Sequence, residues 1–158
     1  ILDLFRWFMG EFRDVACMTG VQYFKEQTLD DNGMAVFRME GGATASLHAS
    51  LTQWKNLFSF ELFGEDAYVI VEGLGSSYGT ERLVFGKRDF DAPFAETVTE
   101  YRGGDRSWNA EWKEFMGAIR DKREPIGNGR DGLEAMRVAL AAYESERTGR
   151  ILKVRDIA

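Results

Sequence analysis

Apolar residues recur every second position from Val15 to Tyr101, and at helical spacing on either side of that stretch. Alternation of period two predicts strands over 15–25, 34–40, 43–52, 57–63, 67–72, 83–87 and 96–101. Glu40-Gly41-Gly42-Ala43 and Phe63-Gly64-Glu65-Asp66 supply the glycines that tight turns need, and no helical segment intervenes to make neighbouring strands parallel. The expected result is an antiparallel meander. Before it, Ile1, Leu4, Phe5 and Phe8 form a helical stripe stopped by Gly10, with no capping residue ahead of Ile1, so the chain is expected to be a piece of a larger protein. After it come two helices. Ser107 is the expected N-cap of the first, whose stripe is Trp108, Trp112, Phe115, Met116 and Ile119, with Pro125 ending the segment. The second starts near Asp131, turns Leu133, Met136, Leu140 and Tyr143 inward, and stops at Gly149. One face of the sheet is expected to cover both stripes.

The other face carries few charges. Along 43–52, Ala43, Ala45, Leu47, Ala49 and Leu51 point one way, and Thr44, Ser46, His48, Ser50 and Thr52 the other. Phe58, Phe60 and Leu62 lie opposite Leu57 and Phe63, and Ala67, Val69 and Val71 lie opposite Tyr68 and Ile70, so apolar groups occupy both sides. A water-facing antiparallel sheet normally shows Lys, Glu and Arg on its outer side. The second face is therefore expected to meet another protein surface, most simply a second copy of the chain, the competing reading being a solvated face with stray apolar residues.

Composition agrees with a packed α+β domain. The chain has 158 residues, 44% hydrophobic and 13% aromatic, enough to bury a core without disulfides, and the simplest organisation is a single domain over 1–158. No apolar run approaches the roughly 20 residues of a membrane helix. Net charge is -6, with Lys and Arg scattered, which argues against nucleic acid as a partner. Cys17 is the single cysteine and reads as an inert thiol in a strand; with no visible leader, the expected location is cytoplasmic.

Four features invite chemistry. Gly73-Leu74-Gly75-Ser76-Ser77-Tyr78-Gly79 follows a strand as a dinucleotide fingerprint does, but Thr80-Glu81-Arg82-Leu83 continues as a strand where a helix N-terminus is required. Phosphate binding is rejected; Ser76, Ser77 and Tyr78 remain candidates for hydrogen bonding to a polyol or sugar. Gln53-Trp54-Lys55-Asn56 is either a pocket wall, with Trp54 stacking on a sugar ring, or a plain surface turn. His48, the one histidine, is flanked by Ser46 and Ser50 two positions away, about 7 Å in a strand and too far for a nucleophile and its base. Asp30 and Asp31 read as solvated loop charges, and no carboxylate set has metal-ligand spacing.

Ile1-Leu2-Asp3-Leu4-Phe5-Arg6-Trp7-Phe8-Met9-Gly10, the run from Gln53 to Gly64, the Gly73 to Gly79 loop, and Ala142-Tyr143-Glu144-Ser145 with Gly149 together resemble the C-terminal domain of the Gfo/Idh/MocA oxidoreductases, the glucose-fructose oxidoreductase and inositol dehydrogenase group. The resemblance covers essentially the whole chain. It implies an open antiparallel sheet of the dihydrodipicolinate-reductase and glyceraldehyde-phosphate-dehydrogenase C-terminal type, with helices on one face and oligomerisation through the other. It also implies an NAD(P)-dependent enzyme acting on a sugar, polyol or nucleotide-sugar hydroxyl, whose N-terminal Rossmann domain is absent here. In that family a Lys and the Asp and His of a D-x-x-x-H segment handle the hydroxyl proton, and Asp3 matches the acidic position three residues after that His. Asp3, Gln53, Trp54, Lys55, Asn56, Ser77 and Tyr78 are thus expected to bind substrate. No catalytic, cofactor-binding or metal-ligating residue is expected in this chain, which alone should neither bind NAD nor transfer hydride. A non-catalytic ligand-sensing or dimerisation module on the same scaffold is the alternative.

Overall fold

The seven strands of the alternating region divide three and four between two antiparallel sheets, the first completed by a short strand near the C-terminus, where the sequence suggests one continuous meander. A computed structural model describes residues 1–75, 77–93 and 95–157. Its elements are α1 (Leu2–Met9), β1 (Phe12–Gly20), β2 (Asn32–Met39), β3 (Thr44–Ser50), β4 (Ser59–Phe63), β5 (Ala67–Glu72), β6 (Glu81–Lys87), β7 (Glu96–Tyr101), α2 (Ser107–Asp121), α3 (Gly129–Thr148) and β8 (Leu152–Lys153). They form two compact units, Ile1–Thr52 with Gly117–Ala158, and Gln53–Met116. Between β3, whose ladder ends at Ser50, and β4, Trp54 adopts φ 54°, a left-handed backbone that interrupts the extended chain.

The first unit contains the sheet β3-β2-β1-β8. In register, Val15 faces Phe37, Cys17 faces Ala35, and Ala35 in turn faces Leu47. Phe5 of α1 meets Phe12 and Phe37 with ring centroids 6.4 and 6.2 Å away, and Phe12 and Phe37 meet edge-on at 4.9 Å. Burying each such ring stabilises the fold by about 1.5–3 kcal/mol, which explains why an eight-residue helix holds its place. Helix α3 packs on β1 and α1. It begins with a reciprocal capping box, Asn128 accepting from the Asp131 amide while Asp131 accepts from the Asn128 amide, and it ends at Gly149 with φ 65°.

Three expectations need correction here. Leu133, Met136, Leu140 and Tyr143 are exposed, whereas Val138, Ala141 and Ser145 are buried, so α3 turns its other stripe inward. Small residues win that position because they let the helix approach β1 closely: Ser145 Oγ accepts from the Cys17 amide at 3.1 Å and donates to the Arg150 carbonyl at 2.6 Å. In α2, Trp108, Trp112, Phe115, Met116 and Ile119 are likewise exposed, because periodicity identifies a face that favours cover without supplying the cover. Asp31 is no solvated charge. It is 2% exposed, and its carboxylate accepts from the amides of Gln22, Tyr23 and Phe24 at 2.8–2.9 Å, which is why β1 ends at Gly20 and the connection to β2 turns instead of extending to residue 25. The two-residue strand β8 is too short for periodicity to reveal.

Away from α3, the β3-β2-β1 sheet presents the rows Ala16–Val36–Ser46 and Met18–Met34–His48. Met18 is 80% exposed and Val36 57%, so this side is open and uncharged along these two rows, while the next row, Asp14–Arg38–Thr44, carries an ion pair.

The second unit contains the sheet β4-β5-β6-β7. Phe60 and Val84, from opposite faces, are both buried, which matches a sheet apolar on two sides. Gly86 lies beneath the Tyr68 ring, where a Cβ would meet ring atoms at 2.1–2.3 Å, and Tyr68 donates to Glu96 across the neighbouring strand at 2.8 Å.

Candidate functional site

At one end of the second unit's sheet, the segment leading into β4 and the loop between β5 and β6 enclose an open cleft of about 670 Å³. The loop is a hairpin with a fixed root. Gly73 donates to the Phe58 carbonyl at 3.2 Å, tying the loop to the entry of β4. Its φ is 79°, and a Cβ there would come within 2.6 Å of the Thr80 carbonyl oxygen, so only glycine closes this base. Beyond it the Gly75 amide donates to Glu81 Oε1 at 2.8 Å, the Ser77 amide to the Gly75 carbonyl at 2.7 Å, and the Tyr78 amide to the Leu74 carbonyl at 3.3 Å. The loop then feeds directly into β6, so its glycines serve a turn and not a phosphate, as the sequence indicates.

Trp54, Lys55, Asn56, Ser77 and Tyr78 all line this cleft. Two distant parts of the sequence are thereby brought to one place. Gln53 is exposed and does not line it; Ser76 lies outside the described residues. The floor holds a charged row that the sequence reading missed: Glu72, Arg82 and Glu100 are register partners on β5, β6 and β7. Arg82 Nε donates to Glu72 Oε2 at 2.5 Å. That bond, with the charges of Glu72, Glu100 and Glu96, raises the guanidinium pKa still further. Glu100 in turn accepts from Arg102 Nη2 at 2.6 Å. The available signal was charge at the ends of apolar runs, Glu72 closing 67–72 and Arg82 preceding 83–87. Chemically the cleft combines an exposed indole, a phenol, hydroxyls of Ser77 and Thr80, the Asn56 amide and one exposed ammonium, a set whose stacking surface and hydrogen-bonding groups match those of a polyhydroxylated molecule.

Asp3 lies in the other unit, on a smaller cavity of about 370 Å³. There Arg6 is the hub: it grips Glu11 through two bonds of 3.0 and 2.8 Å and reaches Asp3 and Asp131, each at 3.4 Å. The Glu11 carboxylate is held below the usual carboxylate range by that contact. Asp3 is thus part of an ion cluster tying α1 to α3. His48 is exposed on the open sheet face, its Nε2 3.2 Å from Asn32 Oδ1, while Asn32 donates to Ser50 and Thr52 at 3.0 Å. Cys17 is half-buried, and burial together with Asp30 and Glu146 raises its pKa, keeping the thiol protonated at neutral pH.

The family model described as the oxidoreductase family, C-terminal alpha/beta domain, matches residues 1–154. No curated protein sequence matches the chain. Among solved structures, levoglucosan dehydrogenase in complex with NADH and levoglucosan aligns with TM-score 0.80 at 18% identity, over 97% of this chain and 47% of that one. The WlbA dehydrogenase from Bordetella pertussis, with NADH and UDP-GlcNAcA, aligns with TM-score 0.70 at 23% identity, covering 96% and 41%. Aldose-aldose oxidoreductase from Caulobacter crescentus, complexed with glycerol, gives TM-score 0.75 at 21% identity, covering 96% and 44%. At these identities the likeness is one of fold, and the chain spans less than half the length of each of these structures. By its family match the chain belongs to the Gfo/Idh/MocA oxidoreductases, as their C-terminal alpha/beta domain.

Proposed function

We propose that this chain is the substrate-binding and oligomerising half of an NAD(P)-dependent oxidoreductase that moves hydride between nicotinamide and a sugar or polyol hydroxyl. The observation that carries the proposal is the convergence of Trp54, Lys55, Asn56, Ser77 and Tyr78 on one cleft in a domain of this family. Structures of the same fold hold levoglucosan, glycerol or a nucleotide sugar. The described residues do not fit a dinucleotide. The amides of Gly73, Gly75, Ser77 and Tyr78 donate within the protein, and the loop runs into β6 rather than a helix N-terminus. In this reading the coenzyme is held by chain outside this sequence, and the piece alone transfers no hydride. Asp3 joins the substrate site only in the assembled enzyme.

The open side of the β3-β2-β1 sheet is the homo-oligomer contact in this reading, supported by the exposure of Met18, Met34 and Val36. A cytoplasmic setting accords with a single protonated thiol. Hydrogen exchange in the presence of D-glucose tests the cleft: amides of 54–58 and 77–80 are expected to slow, with no slowing by NAD. Protection by NAD, or sugar protection confined to other segments, would contradict the proposal.

A further inference from the structure

The cleft that the proposed function assigns to substrate also discriminates by charge. Its two lining cations are Lys55 and Arg82, and its two lining carboxylates are Glu72 and Glu100. Arg82 would meet an anion already paired: its Nε is bonded to Glu72, and Glu100 is its register partner on the next strand. An anionic group approaching this guanidinium meets both carboxylates at close range, and that repulsion offsets the attraction. Four backbone donors of the loop, those of Gly73, Gly75, Ser77 and Tyr78, are also already engaged. The Gly75 amide, set between positive-φ glycines in the manner of an anion-binding nest, is already filled by the Glu81 carboxylate at 2.8 Å. Across 53–116 carboxylates outnumber Lys and Arg, so the surrounding field repels polyanions. Among the described lining residues, Lys55, exposed to water, opposes this.

The other polar and aromatic lining groups are uncharged: the indole of Trp54, 67% exposed, the Asn56 amide, and the hydroxyls of Ser77, Tyr78 and Thr80. An aromatic face beside several neutral donors and acceptors suits the C–H face and hydroxyls of a sugar ring. We propose that the cleft takes a neutral pyranose or polyol and disfavours carboxylated, phosphorylated and nucleotide-linked sugars. This rests on the cleft being the sugar-binding wall.

Amide NMR spectra of the chain, titrated separately with D-glucose, myo-inositol, D-glucuronate, D-glucose 6-phosphate and UDP-glucose, test both statements apart. Shifts at Asn56, Ser77 and Tyr78 are expected with a neutral probe, at an affinity at least about tenfold above that of any charged one. Tighter binding of glucuronate, glucose 6-phosphate or UDP-glucose at those amides would overturn the charge selectivity and leave the cleft a ligand site. Silence of those amides to all five would remove the site and the selectivity with it. Glu72→Gln, an exposed pair whose loss should leave the fold intact, frees Arg82 and should raise glucuronate affinity relative to glucose by about fivefold. An unchanged ratio would contradict the role given to the Glu72–Arg82 pair.

Discussion

Three amides converge on Asp31, and their donation lowers its pKa below the ordinary aspartate value. The stabilisation is therefore complete above about pH 4 and is lost as pH falls through the lowered folded-state value. Asp31→Asn should be less stable than the parent at neutral pH, with the gap in urea midpoint closing in acid. A gap independent of pH would contradict this. Ser145 is the second such anchor: Ser145→Ala leaves the buried Cys17 amide without its acceptor and should cost about 1–3 kcal/mol, read from chemical denaturation. Neither role was legible in sequence. An aspartate in a polar loop looks the same whether it faces water or gathers amides, and a serine in a helix declares nothing about the strand beneath it. Trp54 was legible, as an aromatic among polar residues at a strand junction.

The strands β5 and β7 fall where alternation and glycine turns put them, because side-chain period and turn chemistry are local properties. Which stripe of α3 turns inward is not local. Two stripes lie on opposite sides, one of large residues through Leu140 and one of small residues through Ala141, and close approach to β1 selects the small one. Ala141→Leu should therefore destabilise by about 1–3 kcal/mol through overpacking. Leu140→Gln should stay within about 0.5 kcal/mol in this chain, as an exposed substitution does. Reversed values in denaturant titrations would restore the orientation that hydrophobicity alone suggests. The division into two sheets was hidden for a related reason: it turns on the left-handed backbone of Trp54, a residue type that seldom adopts it.

The assembled picture is an oxidoreductase domain with a largely uncharged open face on one unit and a cleft lined by aromatic and hydroxyl groups on the other. If the open face joins two copies, Val36→Glu places a charge in the contact and should shift sedimentation at micromolar concentration from dimer to monomer, with little change in monomer stability. A parent chain that sediments only as monomer would refute the interface. Family and fold class were legible because motifs spread from Ile1 to Gly149 keep their order, whereas the floor of the cleft depends on cross-strand register, which joins Glu72, Arg82 and Glu100 from three strands. The most direct test of the cleft is calorimetric titration of D-glucose into the parent chain and into Trp54→Ala. The account predicts saturable heat for the parent and an affinity lower by about tenfold for the variant, the loss of a stacked ring face. Equal affinity in the two proteins, or no saturable heat from the parent, would contradict it.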